Sequence, residues 1–293
     1  VTQVRRIDVI GFGLVFGLAI GLVLPAIAKV RAEAARNHSK NNLRVVAGGM
    51  HAFVETYGFF PGNGGPPMEV VTTPDVRTGF PDSEAFRWGY ADPKRAGRLQ
   101  TGCWAYSILP YIGEGEAFRT VDHTRTVPAY YTGTRREAKP QQVPKADPVY
   151  AKWTYMDAGL GPWGRVDYAA NDQVVRGGMG NVMRPDQVKD GLAETFLIGE
   201  KAMDADAVKT GGWYWDEPIV LGGSGGTGRK GDRLMRDAPK LIEEVADNWG
   251  SPDPEGVWFL FCDGHARLFK YDTPTKVIAA HISPNKNDGD DLP

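Results

Sequence analysis

The chain has 293 residues and a formal net charge of −2, so no basic field marks it as a nucleic-acid binder. Its 37 glycines and 21 prolines, about a fifth of the chain, are high for a helical protein and predict many turns between short strands. Two cysteines, Cys103 and Cys262, exclude a disulfide framework and leave at most one bridge, with two buried thiols as the favoured alternative.

Taken in chain order, the first element is apolar. Residues 9 to 28, VIGFGLVFGLAIGLVLPAIA, carry no charge between Asp8 and Lys29. Twenty residues at about 1.5 Å rise each match a hydrocarbon core roughly 30 Å thick. Three readings stay open for it: a cleaved signal ending at Ala26-Ile27-Ala28, a transmembrane anchor, or the membrane half of one continuous rod. Arg5 and Arg6 favour a cytoplasmic N-terminus, although Lys29, Arg31, Arg36, Lys40 and Arg44 crowd the other flank. Gly13, Gly17 and Gly21 recur every fourth residue and form a candidate face for helix self-packing in the membrane. Asp8 needs a partner at the membrane edge: Arg5 or Arg6 one helical step away in an unprocessed chain, or the terminal amine of a neighbouring subunit in an assembly of such helices.

Residues 29 to 57 contain no proline. Leu43, Val46, Met50, Phe53 and Tyr57 recur at spacings of three and four, which predicts one helix from Val9 to Tyr57 with an apolar stripe on its second half. Gly58 and Pro61 end it. The stripe requires an apolar surface, and a sheet is expected. Strands are predicted at 104–111, 165–170, 194–200, 212–221, 257–262 and 265–271. The stretch from Asp232 to Trp249 looks helical, and 62–100 and 133–150 read as long loops. Asp263-Gly264 reads as a hairpin turn, so that Trp258, Leu260 and Cys262 face one side while Phe259 and Phe261 face the other.

Ordered blocks of the chain resemble a large bacterial family of pilin-like proteins of unknown function. Leu24 to Gly62 is similar to its N-terminal helix, with Lys40-Asn41-Asn42-Leu43 and Tyr57-Gly58-Phe59-Phe60-Pro61 as matching segments. Trp104 with Leu109-Pro110-Tyr111-Ile112, then Asp167 to Asn171, resemble further blocks. So do Asp190-Gly191 through Gly199-Glu200 and the Asp263-Gly264 strand pair. The family's C-terminal signature is H-x9-D-G, and here the histidine position is Asp253. Its processing site is a glycine, and here Gln3 stands there, with Val4 as first residue and Asp8 at the acidic position.

The resemblance implies an α+β, pilin-like fold in which the long N-terminal α-helix packs on an antiparallel β-sheet with long loops. The segments would be a cytoplasmic tip and membrane span at 1–28, a helical stalk at 29–57, and an extracytoplasmic β-rich domain at 58–293. The implied function is a membrane-anchored, non-enzymatic pseudopilin-like subunit of a type IV pilus or type II secretion-like assembly. Its partners would be other pilin-like subunits or its own copies, and membrane lipid, with no nucleic acid. The alternative is a monomeric anchored domain that binds a glycan or envelope polymer through Trp88, Trp153, Trp163 or Trp213.

Other motifs carry less. Gly222 to Arg233 lacks the hydroxyl after its lysine that a phosphate loop needs, and no base and acid accompany Ser224 for a triad. No cofactor is expected. Asn285, Asn287, Asp288, Asp290 and Asp291 are weak calcium candidates in an otherwise solvated tail.

Overall fold

A computed structural model describes residues 6–65, 89–142, 162–212, 215–241 and 244–285, with the side chains at 6–20, 22, 28, 31 and 32 outside that set. The N-terminal helix α1 runs Arg6–Tyr57 and ends where Gly58 takes φ +79°, a conformation that costs a residue without a Cβ little. Its 52 residues correspond to about 78 Å. From Ser39 onward one face is buried, with Leu43, Val46 and Met50 fully covered and Phe53 nearly so. The stripe read from the sequence is therefore the docking face.

The remaining elements are short: β1 (Gly89–Tyr90), α2 (Trp104–Ser107), α3 (Gly115–Thr120), β2 (Gln141–Gln142), β3 (Pro162–Trp163), β4 (Tyr168–Asn171), β5 (Phe196–Glu200), α4 (Ala205–Thr210), β6 (Leu221–Gly222), β7 (Gly228–Arg229), β8 (Leu234–Arg236), β9 (Trp249–Ser251), β10 (Val257–Phe261), β11 (Ala266–Phe269) and α5 (Thr275–Ile282). The main sheet has the order β11-β10-β5-β4-β7. All its pairs are antiparallel except β4 with β7. The fold is α+β, with α1 on one face of this sheet and α5 on the other.

Strand alternation in β10 divides the two cores. Leu260 and Cys262 join the α1 side, with Trp258 packed against it, while Phe259 and Phe261 join Phe196, Phe269, Ile278 and Ile282 on the α5 side. The Asp263-Gly264 turn connects β10 to β11 as expected, with Gly264 at φ +94°.

Three expected elements differ. Residues 104–112 are helical, α2 followed by a 3-10 turn at Leu109–Ile112, because Pro110 cannot donate into a ladder and every residue from Trp104 to Leu109 is buried against α1 or the loops. Among the described residues the expected strand at 212–221 survives only at its end, in β6. The carbonyls of Gly211, Gly212 and Asp216 turn instead onto the Arg165 guanidinium. The helical-looking stretch at 232–249 holds β8 and the first residue of β9, paired in parallel. Asp237 is drawn to Arg135 there, and Leu241 N donates to the Asp204 carboxylate at 2.6 Å. Local helix propensity loses to these tertiary partners.

The two cysteines are free and buried; Cys103 Sγ donates to Ile219 O at 3.0 Å and Cys262 lies by Phe196 O.

Candidate functional site

The polar seam along α1 is where the motif residues gather. Asn42 donates to Tyr131 O at 2.7 Å and meets His38 Nδ1 at 3.1 Å. Lys40, one residue after the buried Ser39, lies 5.9 Å from the Trp258 ring centroid. Asn41 points outward and accepts from Arg44, and Leu43 is core. The hydroxyl of buried Tyr168 stands beside Ser39 and Asn42 without reaching hydrogen-bond geometry.

Glu200 ends β5 beneath this seam and is 1% exposed. Its Oε2 accepts Trp258 N at 2.9 Å, and the hydroxyls of Ser39 and Ser251 lie beside it. Burial pushes its carboxyl up to about 7, against the lowering pull of these donors and of Arg135. Gly199 must be glycine, since a Cβ there would come 2.6 Å from the Phe259 ring and 2.7 Å from Trp249.

The two ends of the degenerate H-x9-D-G segment both touch α1. Asp253, at the histidine position, is 3.7 Å from Arg36. At the other end a Cβ on Gly264 would lie 2.6 Å from the His51 ring, and His51 Nε2 meets Cys262 O at 3.1 Å. Arg36 and His51 are fifteen residues apart, about 22 Å along the helix. The segment from Asp253 to Gly264 thus meets α1 at two separated points, and an Asp–Arg pair stands at the family's histidine position.

Tyr57 and Phe59 stack at the end of α1 beside Phe53, Pro61 is buried, and Asp190 and Gly191 form a turn whose amides at 189 and 190 reach Pro284 O. Gly191 has φ +100°. These residues shape turns and core.

Behind the seam lies a cluster the sequence did not announce. Arg135 binds Asp237 at 2.8 Å, and Arg136 bridges Asp167 at 2.6 Å and Asp216 at 2.5 Å. Lys201 Nζ sits 2.9 Å from Asp216 and donates to Gly226 O at 2.9 Å. Arg165 donates to carbonyls of the 211–216 loop, and Arg229 to those of Ala202, Val245 and Asn248. Burial would raise Asp216, yet Arg136, Lys201 and Arg165 hold it well below the usual carboxylate range. Burial lowers Lys201 to about 8 despite Asp216, and lowers Arg229 to about 10. Glu217 is pushed up to about 7 by the same cause. Only Asp167 belonged to a recognised block; adjacent arginines on a loop carry no sequence signal of burial.

This arrangement locks loops together. The side chains of Arg135, Arg136, Arg165, Lys201 and Asp216 are at most 6% exposed. Ser224 is buried against Thr227, and Arg229 is caged by carbonyls in the glycine-rich segment that resembled a phosphate loop. A cleft of about 410 Å³ opens beside His38, Tyr131, Gly133 and Thr134, and Arg135 and Arg136 of the cluster are also among its lining residues. Among the described residues no group of three or more His, Cys, Asp or Glu is placed to hold a metal ion.

Several sequence candidates lie outside the described residues: Arg5, the side chains of Arg6, Asp8, Gly13 and Gly17, the tail with Asn287, Asp288, Asp290 and Asp291, and Trp88, Trp153 and Trp213. Gly21 has open space around it. Trp163 is 1% exposed and packs on His123, which removes it as a glycan-stacking surface. Among the described residues no helix is long and apolar enough to cross a membrane, and most side chains of the expected span at 9–28 lie outside them.

Residues 28–275 match the model of a family described as a protein of unknown function, DUF1559. No curated protein and no solved structure matches the chain.

Proposed function

Because the chain belongs to the DUF1559 family, whose function is unknown, its own geometry must carry the reading, and we propose that it is a membrane-anchored, pseudopilin-like structural subunit. It would serve a type IV pilus or type II secretion-like assembly and act by packing, without catalysis. The supporting observation is the split character of α1. From Ser39 onward its apolar stripe is satisfied inside the domain. Before Ser39 the helix presents Val23, Leu24, Ile27 and Val30 at 42–64% exposure. Apolar side chains on an exposed helix have no reason to persist unless lipid or another chain covers them. The uncharged residues 9–20 extend the same requirement toward the N-terminus.

Lipid covers the membrane half and neighbouring α1 helices cover the stalk in this reading. The domain is on the extracytoplasmic side or on a surface filament, with the N-terminus in the cytoplasm. The burial of Cys103 and Cys262 makes the test clean, since an introduced Val30→Cys thiol is the accessible one in folded protein. Oxidation of native membranes is expected to give disulfide-linked multimers that Gly17→Leu diminishes. Monomer at every oxidant concentration would overturn assembly and favour the tethered binding domain.

A further inference from the structure

Glu200 is an anomaly that neither the fold nor the proposed assembly requires. It is a buried carboxylate with no lysine, arginine or histidine within ion-pair distance among the described residues, placed beside the Ser39 hydroxyl of α1. The charged and titratable groups facing it can be taken element by element. From α1 comes only the Ser39 hydroxyl, because Lys40 turns onto Trp258 and Arg36 onto Asp253. From β4 comes the Tyr168 phenol, from β9 the Ser251 hydroxyl, and from β10 the Trp258 amide. The Tyr271 phenol lies near but donates to the Ser251 and Asp253 carbonyls. Arg135 is a cation whose charge acts on it, and that guanidinium is committed to Asp237, to Asp167 and to the carbonyls of Lys201 and Gly250.

We propose that Glu200 is a proton-operated latch: with its carboxyl protonated the seam closes and holds the second half of α1 on the sheet, and with it ionised that docking loosens. The physical reason is direct. A neutral carboxyl can donate to one neighbouring hydroxyl and accept from the Trp258 amide, which satisfies it in a dry seam. An ionised one keeps a buried charge there that these donors and Arg135 offset only in part, and lifting α1 at Ser39 exposes that charge to water. The folded-state value near 7 lies above the ordinary glutamate value of 4.5. The docked state therefore binds more protons than the undocked state between those limits, and docking weakens as pH rises from 4.5 to 7. This holds whether or not subunits assemble, so it stands apart from the proposed function.

The test is hydrogen exchange of the α1 amides from Leu43 to Met50 in the full chain in detergent, at pH 5 and pH 8, corrected for the intrinsic exchange rate. Opening of these amides is expected to increase on the order of 50-fold across that interval in the unmodified protein. Glu200→Gln, permanently neutral, is expected to abolish the dependence. Glu217→Gln, which removes the other buried acid of similar character, is expected to leave it intact. No pH dependence in the unmodified protein, or the same dependence in Glu200→Gln, would overturn the latch. So would a dependence abolished by Glu217→Gln. Should Glu200→Gln fail to fold, the carboxyl carbon shift of Glu200 in the unmodified protein decides: titration near 4.5 in place of 7 would sink the proposal.

Discussion

At the scale of single residues, the buried ions behave as a set. Asp216 receives Arg136, Lys201 and Arg165, and each cation also holds a carbonyl or a second carboxylate. Forming such a cluster gains little over an apolar core, but breaking one member leaves unpaired charge in a dry interior, at a cost of about 3–5 kcal/mol. Asp216→Asn is therefore expected to lower the unfolding free energy by about that amount in urea titration, although the change is nearly isosteric. A loss under 1 kcal/mol would mean that water reaches the cluster. None of this was legible in the sequence. Arg135 and Arg136 read as part of a solvated loop, because the acids that bury them come from positions 167, 216 and 237.

At the scale of elements, the α1 stripe and the β10–β11 hairpin were legible, since both rest on periodicity and on one turn. What holds them together was not. Gly264 serves the turn through its positive φ and serves docking through its missing Cβ under His51, two demands on one residue. Gly264→Ala is expected to lower stability by about 1–3 kcal/mol. Adding His51→Ala should return only the part due to the ring contact, so a double-mutant cycle by thermal or urea unfolding separates strain from collision. A coupling of zero would show that the hairpin does not press on α1. The segment at 232–249 failed as a helix for a related reason. Asp237 and the Leu241 amide find their partners far away in sequence, on Arg135 and Asp204.

At the scale of the whole molecule, the sheet separates two cores, and the cysteines sit in the one beneath α1. Folded protein is expected to leave both thiols unreacted with a thiol reagent, and denatured, unreduced protein to titrate two. Two fast thiols in the folded state would contradict the burial of Cys103 and Cys262. Burial also pushes the Cys103 thiol up to about 11, which removes the reactive thiolate at neutral pH. The exposed Val23, Leu24, Ile27 and Val30 belong to this scale too, because only the whole molecule shows which apolar residues its own domain leaves uncovered.

The sequence by itself determined the long N-terminal helix, its docking stripe, its glycine stop and the C-terminal hairpin, because periodicity and turn chemistry act over a few neighbouring residues. It also carried the motif blocks through which family membership was recognisable. Tertiary structure alone decided that Trp104 to Ile112 coils instead of extending, that Trp163 is core, and that Asp253 pairs with Arg36. It likewise decided that Glu200 lies dry beneath Ser39. These outcomes depend on residues tens to hundreds of positions apart, and burial, the property that sets their chemistry, exists only once the chain has closed around them.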